Sequence, residues 1–200
     1  MFDDDPCNIR KEVIAMNTKK LLRSLSLVAA LILVMLGSPT TSASADSGSA
    51  SYDYLIGTAL CPDPECVAVA RAANGDTIEI AGAGTLSIHP KSVSGGGTFT
   101  HHLAGGGSGS GTWTATELLS FNEFHCFFDP GLGDICGGRV LIRVHLIAAG
   151  GSPQADAILE MTCILGGKAP ASAVEGIRLA IQGGPNFNQE LGGLDLFIKQ

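Results

Sequence analysis

Charge is scarce in this chain, aromatic side chains are scarcer, and the common catalytic motifs are missing. Asp, Glu, Lys and Arg make up 16% of the 200 residues, and Phe, Trp and Tyr 6%. No cluster of Lys or Arg occurs, so nucleic acid and anionic membrane are poor partners. The glycine run Ala104–Gly111, AGGGSGSG, invites motif matching, and the matches fail. Gly109 stands where a G-x-S-x-G motif requires serine, and no lysine follows to make a phosphate-binding loop. There is no G-x-G-x-x-G, no H-E-x-x-H, no EF-hand loop, no N-x-S/T acceptor and no sortase-type tail. No cofactor is therefore expected. Nor is there a repeat of 20–50 residues that would signal a solenoid or propeller.

The N-terminus reads as an address. Lys19, Lys20 and Arg23 form a basic region, Leu25–Leu36 is apolar, and Ala43-Ser44-Ala45 offers a small-residue cleavage site. This pattern is that of a secretory signal peptide. The apolar run is too short to span a bilayer comfortably. No cysteine follows it for lipid attachment, and no twin arginine precedes it. Residues 1–15 read as a non-structural extension ahead of a better start at Met16. Residues 16–45 are then the signal, and residues 46–200 a single secreted β-rich domain that leaves the membrane on cleavage. That domain holds seven basic and fifteen acidic residues, a formal charge of −8.

What is present is a strand–turn–strand theme. In Gly97–Phe121, Thr98, Thr100 and His102 alternate with Phe99, His101 and Leu103. Beyond the glycine loop, Thr112, Thr114 and Thr116 alternate with Trp113, Ala115 and Glu117. Period-two alternation of Thr and aromatics is a strand signal, and no helix survives that much glycine. Pairing Thr with Thr puts Phe99, His101, Leu103, Trp113 and Ala115 on the opposite, apolar face.

The remaining elements follow in order. Tyr52–Ala59 reads as a strand. Asp63-Pro64-Glu65 is a helix-start signal, so Cys66–Ala73 is expected as one short helix stopped at Asn74-Gly75, the rival being a hairpin through that same turn. Asp76–His89 is a long strand broken by Gly82–Gly84. Ser92–Gly97 is a turn, and Asn122–Gly138 a long loop. Arg139–Ala148, Ala155–Leu165, Ile177–Gln182 and Leu194–Lys199 are strands. About eight strands without alternating helices predict an all-β fold. Sequential hairpin-like connections favour a small antiparallel β-barrel over a two-sheet β-sandwich. The pattern has the general look of small secreted barrels such as lipocalin-like or dirigent-like folds, a likeness of architecture alone.

Five cysteines follow the signal. Export permits disulfides. Cys61 with Cys66 and Cys126 with Cys136 read as two local staples, leaving Cys163 inside an apolar run. Cys66 with Cys163 is the rival pairing. The spacings are not zinc knuckles, so no metal is expected. His125, Asp129 and Asp134 match no calcium-loop signature.

Two side-chain sets remain as candidate sites. His101, Trp113 and Glu117 share strand parity; turned inward, they would place a polar pair on an apolar wall, as a ligand anchor or acid–base pair. Glu79, Arg143, His145 and Glu160 have outward parity and read as a charged ladder outside the barrel, or as a lumen set if the polar face turns in. The reading these features favour is a secreted, non-catalytic barrel binding a small apolar or amphipathic ligand. A cyclase- or isomerase-like enzyme is the second reading. The third is a structural or surface-interaction module whose Thr-rich face (Thr85, Ser87, Thr98, Thr100, Thr112, Thr114, Thr116) contacts polysaccharide or protein.

Overall fold

The computed structural model describes residues 49–200, so the extension and the signal segment lie outside the described residues. The chain forms ten antiparallel strands: β1 (Ser51–Ile56), β2 (Ala68–Ala72), β3 (Thr77–Ser87), β4 (Ser92–His102), β5 (Ser108–Asp129), β6 (Gly133–Ala148), β7 (Gln154–Cys163), β8 (Gly176–Ile181), β9 (Asn186–Gly192) and β10 (Asp195–Lys199). Their order is β1-β10-β6-β5-β4-β3-β2-β9-β8-β7, and the further pairings β1–β3 and β6–β7 close the sheet on itself. The all-β barrel expected from the sequence is therefore found.

The ring is wider at one end than at the other. β1 and β2 both run antiparallel to β3, one beside each half of it. β10 and β9 pair with β1 and β2 in turn. These four segments thus act as two interrupted strands, which reconciles ten segments with about eight barrel positions. At the end where β3 begins, eight strands make the ring, β2-β3-β4-β5-β6-β7-β8-β9. At the other end β10 pairs directly with β6 at Cys136, bypassing β7 and β8. Barrel diameter grows with strand number. The wide end carries the hairpins β2–β3, β4–β5, β6–β7 and β8–β9.

Three expectations are corrected. The helix after Asp63 is a single 3-10 turn, Pro64–Cys66. The alanines that follow form β2, with Ala68, Ala70 and Ala72 buried and Arg71 exposed. Pairing on both edges outweighs the helix preference of alanine, and Asn74-Gly75 makes the hairpin, with Gly75 at φ +89°. Second, most of Asn122–Gly138 is not a loop. β5 and β6 extend through it, and Cys126 faces Cys136 directly in register. Their disulfide staples this hairpin, and a second joins Cys61 to Cys66. Cys163 is buried on β7, and the rival pairing is not formed because Cys66 is bonded to Cys61. Third, Ser92–Gly97 is not a turn but the first half of β4.

That last difference explains the glycines. Gly82 faces Gly97, and Gly84 faces Gly95, across β3 and β4. A Cβ on Gly82 would run into the Trp113 ring and the Gly96 carbonyl oxygen. One on Gly84 would meet the Tyr54 hydroxyl and the Ser94 carbonyl oxygen. The side-chain-free patch is a floor on which two large rings lie. Trp113, 2% exposed, donates its indole N–H to Ala81 O at 3.1 Å, and Tyr54 donates its hydroxyl to Ser94 O at 2.9 Å. Each buried ring thus satisfies its polar atom. Around them pack Ile56, Ile80, Leu86, Val140, Ile142, Val144, Leu159, Leu179 and Phe197, all buried.

Replacing Trp113 with Ala should cost about 3–5 kcal/mol, and Gly82→Ala about 1–3 kcal/mol from overpacking. In the Trp113→Ala background the Gly82→Ala cost should shrink, because the ring it strikes is gone. Urea unfolding of the four proteins measures this coupling, and additive losses would contradict the packing described.

Candidate functional site

Buried side chains fill the middle of the lumen among the described residues. At the wide end a cavity of about 280 Å³ opens between β3 and β8, its wall almost wholly apolar. Ile78, Phe99, Leu146, Ala155 and Ile181 supply the apolar surface, and His101 is the one titratable side chain among the residues that line it. One inward step further down the strands lie Ile80, Trp113, Val144 and Ala157, all buried, so the cup has a closed floor.

His101 reaches the cup because the hairpin folds in the expected register. Thr98 faces Thr112 and Thr100 faces Ser110, which turns Phe99, His101 and Trp113 inward. Its neighbours fix the imidazole. Nε2 lies 3.1 Å from Oδ2 of Asp76, and the ring meets Phe187 edge-on at 5.4 Å between centroids. Asp76, only 7% exposed, sits just after the β2–β3 turn. Its Oδ1 accepts the Ala104 N–H at 2.8 Å, and its Oδ2 the Asn74 side-chain amide at 2.8 Å. The Ala104 N–H, the Asn74 amide and His101 hold its carboxyl below the usual carboxylate range, against the opposing effect of desolvation. One carboxylate therefore ties the β2–β3 turn to the β4–β5 loop and orients the histidine between them.

Trp113 is core beneath the cup rather than part of its wall. Glu117 does not join them. A β-bulge between Ala115 and Glu117 reverses the strand's parity, so Leu118 turns in and Glu117 turns out. The Glu117 side chain is 56% exposed and pairs with Arg143 at 3.0 Å. The expected partner of His101 is thus replaced by Asp76. The sequence signal for Asp76 was its place directly after Asn-Gly, where side chains commonly bond back to the turn.

The second candidate set lies outside the barrel and does not converge. Glu79 pairs with His102 at 3.1 Å, and Arg143 with Glu117. His145 bonds Asp156 at 2.9 Å and Gln154 at 3.2 Å, and the Asp156 contact raises its pKa most. Glu160 lies 3.3 Å from Arg139 and 3.9 Å from Arg178, which in turn meets Glu190 at 2.5 Å. Arg139, Glu160, Arg178 and Glu190 form an alternating ladder across β6, β7, β8 and β9. On the same outer side, Thr98, Thr100, Ser110 and Thr112 border a shallow groove over Gly111.

Near the narrow end, Glu123 accepts from Tyr52 at 2.6 Å and from Lys199 at 3.1 Å. The Tyr52 bond is the largest cause of its lowered pKa, while burial raises that of Tyr52. Glu123, Cys126 and Cys136 lie within 4.8 Å of one another, but the two sulfurs are bonded to each other and offer no thiolate. Asp129 spends its Oδ1 on its own turn, accepting from Gly131 N at 2.7 Å and Leu132 N at 3.0 Å.

Asp76 makes a pH prediction. Its folded pKa lies below the unfolded one, so its contribution is complete above the ordinary carboxylate range, about 3.9, and is lost as pH falls through the lowered folded value. Asp76→Asn should therefore be less stable than the parent at neutral pH, with the gap narrowing below about pH 4. Urea midpoints measured across the pH range check this, and a gap independent of pH would contradict it. No protein-family model, curated protein or solved structure matches this chain, so the site is read from its own geometry.

Proposed function

We propose that the protein is a secreted binding protein whose wide barrel end takes up one small apolar or amphipathic molecule. The observation that carries this reading is the apolar cup of about 280 Å³ at the wide end, above a layer of buried side chains. Pockets for small ligands are concave, mostly apolar and equipped with a few placed polar groups, and His101 is such a group here. A cup of this volume suits a small molecule rather than a chain segment. The export pattern at residues 16–45 and the two disulfides support an extracellular setting. Among the described residues no helix is long and apolar enough to cross a membrane.

The enzyme reading draws less support. A His–Asp pair can act as a base, but acid–base turnover also wants a second group facing the substrate, and the other residues lining the cup carry no titratable side chain.

The test is a plug. Gly109 lines the cup opposite His101, its φ is not positive, and a Cβ there meets nothing within 4 Å. Gly109→Phe should therefore fold and occupy the cup. Naphthalene, with ten carbons and native fluorescence, should bind the parent and lose at least tenfold in affinity for Gly109→Phe. Equal binding to both would overturn the reading.

A further inference from the structure

The polar atoms around the cup define what it would recognise. The Ala104 N–H and the Asn74 amide favour the ionised form of Asp76, which can only accept hydrogen bonds. Nε2 of His101 must then carry the hydrogen that lies between them. In the neutral ring this leaves Nδ1 with a lone pair, and among the described residues the ring's hydrogen bond is made at Nε2 alone. The other polar side chains lining the cup are committed or turned away. Gln154 donates its amide to Gly151 O at 3.1 Å and places Oε1 3.2 Å from His145. Ser110 pairs with Thr100 on the outward face. No lysine or arginine lines the cup. An anionic head group would therefore find no fixed cation and would face the Asp76 carboxylate behind the imidazole, an unfavourable like-charge arrangement.

We propose that the molecule held in the cup is a neutral apolar alcohol or phenol, whose hydroxyl donates a hydrogen bond to Nδ1 of His101 while Asp76 fixes the opposite ring nitrogen. This rests on the binding reading above and names its ligand class. The apolar wall holds the carbon skeleton, and the single acceptor selects the hydroxyl and sets its orientation. A hydrocarbon of the same size gains only the wall. A carboxylate gains the wall but meets the Asp76 field. Asp76 is a positioning residue, since it acts through His101 and reaches no ligand itself.

Three probes of matched size separate these terms: naphthalene, naphthol and naphthoate, titrated by fluorescence. Naphthol should bind about tenfold tighter than naphthalene, which corresponds to about 1.4 kcal/mol, and naphthoate should bind weakest. His101→Phe keeps an aromatic ring against Phe187 and should abolish the naphthol preference, so that naphthol and naphthalene bind that variant alike. Asp76→Asn should narrow the preference without removing naphthalene binding. Nitrogen-15 NMR of the parent requires no variant: the His101 ring should show a protonated Nε2, and addition of naphthol should shift Nδ1 alone. Equal affinity for naphthol and naphthalene, or a naphthoate preference, would overturn the ligand class while the cup remains a binding site. Failure of all three to bind would overturn the ligand class and the binding reading together.

Discussion

The packing of Trp113 and Tyr54 onto facing glycines is the constraint on which the rest of this molecule depends. Two strands stripped of side chains at Gly82, Gly84, Gly95 and Gly97 let large rings lie against bare backbone. The rings then close the lumen below the wide end, and their N–H and O–H bond the carbonyls of Ala81 and Ser94 on the same two strands. A side chain at Gly82 would strike the Trp113 ring, one at Gly84 or Gly95 the Tyr54 hydroxyl, and one at Gly97 the Ala81 backbone. Glycine is a poor strand former on its own account. Here the area buried by each aromatic ring offsets that cost, because removing an aromatic from water outweighs the conformational penalty of one glycine.

Buried side chains occupy the centre, and the cup lies where the ring is widest. The eight-strand end cannot be spanned by the same side chains, and β2–β3, β4–β5, β6–β7 and β8–β9 cap its rim rather than plug it. Polar groups are distributed accordingly. Charged pairs decorate the outside, where ion pairs contribute little to stability and much to solubility. The cup receives one imidazole, and the carboxylate that orients it is held by the turn and loop at the rim. The same Asp76 contacts therefore serve two ends, joining two rim segments and orienting the imidazole of His101.

Much of this was legible in the residues, for physical reasons that also explain what was not. Period-two alternation placed Thr98, Thr100 and Thr112 outside and Phe99, His101 and Trp113 inside, since register in a half-buried strand flips every side chain at once. The two staples were legible from short spacing. Glu117 was misplaced because a bulge inserts one residue and reverses parity, and Thr116 carries no feature that announces it. The Ala68–Ala72 strand was hidden because alanine fits a helix better than a strand until both edges are paired. The Cys126–Cys136 hairpin was hidden by Asn122, Asp129, Gly131 and Gly133, residues that read as loop yet occupy long exposed strands and their tip. The paired glycines of β3 and β4 were read as a break and a turn, since nothing in either segment alone shows that the other lies beside it.

Xenon, which enters dry apolar cavities without a polar requirement, tests the central claim most directly. Methyl spectra of the labelled protein should show xenon-dependent shifts at Ile78, Leu146 and Ile181 around the cup. Ile56, Leu86 and Leu196, buried toward the narrow end, should stay unmoved. Shifts at those lower methyls, or none at the upper ones, would contradict a lumen sealed by aromatic rings and open only at its wide end.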